Sequence, residues 1–193
     1  MKRSIKEMTI ALVLVGSNLL VHGQQLTVSI LQGQKKVAAE ENRYQLQKSP
    51  FTFLITANQL EGFLIGATFD EDVYLSAIQK ADLEVTWFEN TGMADALFNP
   101  EQIMCISNDA PSYWYYSNPG DHRFDKDAKG TASQWIAKRS VAKLDVLESK
   151  EQVALQNINR PLYVVFYNPI YDNDYNLVDK TILFHAQIMW KGH

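Results

Sequence analysis

Cysteine is almost absent from this 193-residue sequence, and Cys105 is the only one. An intramolecular disulfide is therefore impossible, so the fold depends on its hydrophobic core. The neighbours of Cys105 are apolar (Ile103, Met104 and Ile106). We predict a small buried side chain and not a nucleophilic thiol, because no cationic or helix-terminal setting is visible nearby.

The usual catalytic signatures are also missing. The chain has no Gly-x-Ser-x-Gly nucleophile turn, no glycine-rich phosphate loop and no His-Glu-x-x-His pair. It has no Asn-x-Ser/Thr acceptor, which fits a bacterial envelope protein, and no internal repeat, low-complexity segment or motif that assigns it to a family. These absences leave the fold and the surface side chains as the guides to function.

The amino terminus has the pattern of a secretory signal peptide. Lys2, Arg3 and Lys6 precede an apolar run at residues 9–21, and a short polar segment follows at 22–24. The run of about 13 residues is shorter than the roughly 18 that a membrane-spanning helix needs. We predict a signal peptide at residues 1–23 and a periplasmic or secreted mature protein without a stable membrane span. An anchor that stays attached is the alternative.

Removing residues 1–23 would leave 170 residues, a length that favours one domain at 24–193. A chain of this size can bury a core without disulfides. The leader contains three basic residues and one acidic residue, so the net charge changes from −4 to −6 on processing. A mildly acidic protein with dispersed charge gives no electrostatic reason to expect nucleic-acid binding.

Alternation of apolar and polar residues recurs along the chain and predicts half-buried strands. It is clear at residues 26–30, 44–46, 51–55 and 135–141, and Pro50 is expected at a strand start or an edge. Residues 162–167 are also predicted to form a strand, because they are rich in β-branched and aromatic residues. At residues 181–190 both alternating sets are largely apolar, which predicts a central strand.

Helical patterns are few. Asp70, Glu71 and Asp72 suit the first turn of a short helix that continues to Ile78, and residues 149–159 are expected to hold another. We therefore predict a mainly β fold: a two-sheet antiparallel sandwich, immunoglobulin-like or jelly-roll-like, with one or two short helices. A partly open barrel is the competing architecture.

The densest group of large rings lies at residues 112–124, where five aromatic residues flank a polar turn. In a strand, Tyr113 and Tyr115 would lie on one face, while Trp114 on the other face would belong to the core. Tyrosine is enriched at recognition surfaces. We predict a ligand-binding face, with the alternative that these rings are ordinary core residues; its members are Tyr113, Tyr115, Asp121, His122 and Arg123.

Two acidic segments resemble calcium loops without completing one. The segment that starts at Asp125 has Lys129 and Ile136 where calcium needs oxygen ligands. In the segment at 172–179, Asp172, Asp174 and Asn176 alternate, but Leu177 replaces the glycine of the sharp turn. A simple strand-connecting turn is the favoured interpretation, so we assign no metal ligand and no cofactor.

His122 is the only histidine in a polar cluster, and one such residue is too few for a zinc site. We predict an exported, non-enzymatic protein of the cell envelope or exterior that binds a glycan or a protein partner through an aromatic and polar face. One alternative is an envelope glycan hydrolase with paired carboxylates such as Asp121 and Asp125. The other is an assembly subunit whose edge strands pair with neighbours.

Overall fold

The computed structural model describes residues 25–58, 60, 63–79, 100–108, 122–126 and 132–192. The predicted leader and the aromatic segment at residues 113–116 lie outside these ranges. The described residues form a mainly β fold, as predicted, with one α-helix, α1 (Glu71–Ile78). The strands are β1 (Gln25–Gln32), β2 (Lys35–Lys36), β3 (Ala39–Glu40), β4 (Arg43–Leu46), β5 (Phe51–Asn58), β6 (Leu64–Thr68), β7 (Ile103–Ile106), β8 (His122–Lys126), β9 (Ala132–Val141), β10 (Lys143–Val146), β11 (Glu151–Ala154), β12 (Leu162–Tyr171) and β13 (Leu177–Trp190).

Sheet 1 has the strand order β2-β1-β5-β9-β8, and its pairs are antiparallel. Strand β5 lies at its centre and starts directly after Pro50, which has no amide hydrogen to donate to a ladder. Along β5 every second side chain is buried, and the positions between them are half-buried. The alternation in the sequence therefore identifies the face of sheet 1 that carries the core.

Sheet 2 has the strand order β3-β4-β13-β12-β6. Strand β13 pairs with β12 on one side and with β4 on the other, which confirms it as a central strand. The β4–β13 pair is parallel, a connection that the predicted antiparallel sandwich did not include.

The inner faces of sheets 1 and 2 share one buried hydrophobic cluster. The ring centroids of Phe53 and Phe166 lie 5.7 Å apart, and those of Phe51 and Trp190 lie 6.1 Å apart. Tilted and edge contacts at these distances are typical of aromatic packing in protein cores. Two layers packed in this way are consistent with a β-sandwich.

A third, three-stranded sheet with the order β11-β10-β7 joins the two layers at one side. Only Ala142 separates β9 of sheet 1 from β10, so the chain passes directly from one sheet into the other. At the other end, the Ser107 amide donates to the Ala67 carbonyl of β6 in sheet 2 at 3.0 Å. This sheet contains a second parallel pair, β7 with β10, and it places a strand and a 3-10 turn where residues 149–159 were expected to form a helix.

Helix α1 confirms the helix predicted after Asp70. The Asp70 carboxylate accepts hydrogen bonds from the amides of Asp72 and Val73 at 2.9 and 3.2 Å, so it caps the exposed amides of the first turn. Helix α1 packs on the outer face of sheet 2, where Tyr74 and Ala77 meet a row of β12 side chains: Tyr163, Val165 and Tyr167. One edge of sheet 2 is thus covered on both faces.

Candidate functional site

The predicted aromatic face lies mostly outside the described residues. Tyr113, Tyr115 and Asp121 fall there, whereas His122 and Arg123 open strand β8, the outermost strand at one side of sheet 1 among the described residues. In the ladder, His122 pairs with Ala137 and Arg123 pairs with Ile136. The structure therefore describes the strand position of two members of the predicted face. The face as a whole remains a prediction.

The longest strands form a projecting hairpin that we call the β-arm, residues 168–181. Strand β6 pairs with β12 only at residues 163–167, and β4 pairs with β13 only at residues 187–190. Within the described structure, the β-arm therefore has no third strand on either side. Leu177 packs against the buried cluster that contains Tyr74, and Lys180 is buried, whereas residues 170–176 are all exposed. A two-stranded ribbon is only marginally stable in water, so the surface composition of this exposed part is informative.

Exposed apolar side chains are concentrated on the β-arm. Six large hydrophobic residues are exposed in the part of the chain that the structure describes, and four of them belong to this one hairpin. The four are Ile170 (41% exposed), Tyr171 (47%), Tyr175 (87%) and Val178 (44%). Apolar surface gathered in one place marks an interaction site more often than single scattered residues do.

The tip of the β-arm is held by Asp172. Its carboxylate accepts hydrogen bonds from the amides of Asp174 and Asn176 at 2.9 and 2.8 Å and from the Asn176 side-chain amide at 3.0 Å. The hydrogen bonds from Asn176, together with that from Asp174, hold the pKa of Asp172 below its usual value. This local bonding matches the predicted turn. No group of three or more His, Cys, Asp or Glu residues within the described ranges is placed to hold a metal ion.

Tyr175 adopts an unfavourable backbone conformation at this tip. Its φ of 63° lies in the left-handed region, which glycine and asparagine tolerate and bulky residues rarely adopt. The cost for an L-residue is roughly 1–2 kcal/mol. Because 87% of Tyr175 is exposed, burial does not offset that cost. The turn itself therefore gives no reason for a tyrosine at this position.

A cleft of about 270 Å³ opens beside β11, and we call it the Phe69 cleft. Phe69, Val153 and Ile158 supply its apolar lining, and the polar lining consists of Glu151, Asn157, Asn159 and Arg160. The Arg160 guanidinium carbon lies 4.1 Å from the Phe69 ring centroid, a cation–π contact. The backbone carbonyl of Arg160 accepts a 2.9 Å hydrogen bond from Trp190 Nε1, which fixes this wall to the end of β13.

A polar cluster links α1 to sheet 2, and we call it the His185 cluster (Asn42, Tyr74 and His185). The Tyr74 hydroxyl oxygen lies 2.6 Å from His185 Nδ1, and Asn42 Nδ2 lies 3.3 Å from His185 Nε2. With the amide nitrogen donating to Nε2, the neutral ring carries its proton on Nδ1 and donates it to Tyr74. The ring of Tyr74 also stacks on Tyr163 at 4.9 Å.

Burial determines the protonation of the His185 cluster. It lowers the pKa of His185 and raises the pKa of Tyr74, and a hydrogen bond with the Gln187 side chain only partly opposes the second shift. Both groups therefore remain neutral near pH 7. Only 1% of Tyr74 is exposed, so its hydroxyl cannot reach a substrate. We assign this cluster to the attachment of α1, not to chemistry.

Cys105 is half-buried on β7. Burial raises the pKa of its thiol, and the nearby Asp145 carboxylate raises it further. A thiol with a raised pKa is mostly protonated and is a poor nucleophile. The prediction of a non-reactive cysteine is therefore consistent with its environment.

Comparison of the chain with protein-family models, curated proteins and solved structures finds no match. Among the described residues, no helix has the length and apolar character to cross a membrane. The surfaces of this chain itself are therefore the guide to its function.

Sequence reasoning identified the turn at 172–179 but overlooked Tyr175 within it. An aromatic residue among Asp and Asn residues was the available signal. Sequence reasoning also missed the His185 cluster and the Phe69 cleft. Tyr74 and His185 are 111 residues apart in the chain, and no local pattern links such distant positions.

Proposed function

We propose that this protein is an exported, non-enzymatic binding protein that engages a protein partner through the β-arm. The observation that carries this proposal is Tyr175, a bulky residue with a left-handed backbone and an exposed ring at the tip of a hairpin that has no third strand in the described structure. Strained backbone positions that local stability does not explain are enriched at functional sites. Tyrosine is also a frequent anchor residue in protein interfaces.

The charge of the β-arm favours a protein partner over a membrane. Its exposed charged residues, Asp172, Asp174 and Asp179, are all acidic, whereas Lys180 is buried. An anionic lipid surface repels such an acidic tip, because anionic membranes attract basic segments. A protein pocket with an apolar floor and Lys or Arg at its rim complements both features.

The test uses Tyr175→Asn, because asparagine tolerates the left-handed region. A photo-crosslinker at position 171 reports on a partner in intact cells of the source organism, and Leu147→Ala is the matched control because Leu147 is 43% exposed outside the β-arm. We expect Tyr175→Asn to remove the crosslinked partner without lowering thermal stability, while Leu147→Ala keeps it. Equal crosslinking in both variants would refute the proposal, and binding to anionic vesicles would indicate a membrane instead.

The predicted face at residues 112–124 remains part of this proposal as a second contact surface. Its support is the density of rings in the sequence and the position of β8, which has only one neighbouring strand among the described residues. Combined Tyr115→Ala and Arg123→Ala substitutions are expected to weaken partner binding and to leave folding intact. A loss of folding would assign these residues to the core.

A second candidate function is that of an assembly subunit on a β-sandwich scaffold. The observation that favours it is the lack of a third strand beside the β-arm in the described structure, because open strand edges pair readily with other chains. Sedimentation at increasing concentration tests it: reversible oligomers that proline at position 178 disrupts would support assembly, and a monomer at all concentrations would exclude self-association.

A further inference from the structure

The Phe69 cleft contains two oppositely charged side chains that do not neutralise each other. Glu151 and Arg160 both line it, yet neither forms an ion pair or a side-chain hydrogen bond with any described residue. Arg160 instead rests on the Phe69 ring at 4.1 Å. This contact orients a planar guanidinium whose N–H donors remain available for a ligand.

The rest of the cleft surface combines apolar area with amide groups. Phe69 and Ile158 are buried and Val153 is half-buried, while Asn157 and Asn159 are exposed. A concave site with an apolar lining and a few polar groups is the usual form of a small-molecule site. At about 30 Å³ per water, the volume corresponds to roughly nine waters, which is enough room for one amino acid such as leucine.

We infer that the Phe69 cleft binds a small zwitterion, namely a free α-amino acid with an aliphatic side chain. Arg160 pairs with the ligand carboxylate through its forked N–H groups, and Glu151 accepts from the ligand ammonium. The apolar lining takes the aliphatic side chain. A neutral sugar of similar size would leave both charges without a partner.

The site is open to solvent, so the two ion pairs contribute little each and binding is weak. We expect a dissociation constant of about 1–10 mM for leucine, in the range of the weakest specific complexes. This inference is independent of the β-arm, because no residue of the cleft belongs to residues 168–181.

The experiment is a titration of the isotope-labelled mature protein followed by amide chemical shifts. The probes are L-leucine, N-acetyl-leucine (no ammonium), leucine amide (no carboxylate) and glucose. We expect leucine to shift amides at Phe69 and at residues 151–160, and each derivative to bind about fivefold more weakly. Glucose is expected to cause no saturable shift.

Two charge variants separate the roles of the side chains. Arg160→Gln should weaken leucine binding about fivefold but leave leucine amide binding unchanged, since that ligand lacks the carboxylate. Glu151→Gln should weaken leucine binding about fivefold but leave N-acetyl-leucine binding unchanged, since that ligand lacks the ammonium. Lys191→Gln and Asp174→Asn are matched controls outside the cleft and should bind leucine like the unmodified protein.

Three results would overturn the inference: no leucine-dependent shift at 50 mM, shifts that saturate away from the cleft, or leucine affinity that ignores both charge variants. Glucose binding that is indifferent to the charges would show a sugar site instead. Because the variants change exposed side chains, their spectra should otherwise match the unmodified protein, so a failed titration is not explained by unfolding.

Discussion

Replacing Tyr74 by phenylalanine is expected to lower the free energy of unfolding by about 1–2 kcal/mol. The substitution keeps the ring that stacks on Tyr163 but deletes the hydroxyl that lies 2.6 Å from His185 Nδ1. A net hydrogen bond is worth about 1 kcal/mol, and a half-buried ring nitrogen left without its partner adds to the loss. For a protein of this size the change corresponds to about 3–6 °C in Tm.

The same contact predicts how stability depends on pH. Burial lowers the folded-state pKa of His185 below its ordinary value of 6.5. Above pH 6.5 the ring is neutral in both states, so it adds no pH dependence. As the pH falls below 6.5, the unfolded chain takes up a proton that the folded protein does not, so stability decreases until the pH reaches the lowered folded value. His185→Gln should remove this part of the decline.

The assay is urea unfolding at several pH values, with the transition midpoint and slope fitted for each variant. Tyr44→Phe is the matched control, because Tyr44 is also buried on sheet 2 but its hydroxyl has no side-chain hydrogen bond among the described residues. We expect a change below about 0.5 kcal/mol for this control, as for other substitutions that remove no named interaction. Equal losses in Tyr44→Phe and Tyr74→Phe, or a decline below pH 6.5 that is as steep in His185→Gln as in the unmodified protein, would refute the role given to the His185 cluster.

Three further predictions concern the core, the helix cap and the tip of the β-arm. Phe166→Ala should cost about 3–5 kcal/mol in urea unfolding, because this fully buried ring contacts other rings of the core; a cost below 1 kcal/mol would contradict the two-layer packing. Asp70→Ala should cost about 1 kcal/mol and speed amide exchange in the first turn of α1; unchanged exchange there would contradict the cap. Asp172→Ala should speed amide exchange at Asp174 and Asn176, because it removes the carboxylate that accepts from both amides. In the unmodified protein, the protection of these two amides should persist above the unfolded carboxyl pKa and should disappear as the pH falls through the lowered pKa of Asp172. Protection at these amides that is equal in the variant would show that another group holds the turn.

The sequence predicts faces well because strand periodicity acts on nearest neighbours. The burial of Tyr44 and Leu46, the start of β5 after Pro50 and the cap of α1 at Asp70 all follow from residues a few positions apart. In each case the local pattern and the packed environment favour the same conformation. Such agreement between local and tertiary preferences makes an element predictable.

The partners of each strand are less predictable, because alternation specifies a face and not a neighbour. The parallel pairs β4–β13 and β7–β10 join segments far apart in the chain, and their sequences resemble antiparallel strands of the same length. Residues 151–154 have no strong strand alternation, yet they pair with β10 because its edge is available. Tertiary context overrides weak local propensity at such positions.

The location of the exposed apolar surface follows from unequal strand lengths. Strands β12 and β13 have 10 and 14 residues, whereas the flanking β4 and β6 have four and five. Beyond the ends of their neighbours, alternating side chains leave the core, and polar residues would be the stable choice there. If the only role of this turn were to connect β12 and β13, asparagine at position 175 would be at least as stable, because the left-handed backbone there disfavours tyrosine. An exposed tyrosine at that position is therefore better explained by what it contacts in a complex than by the stability of the isolated fold.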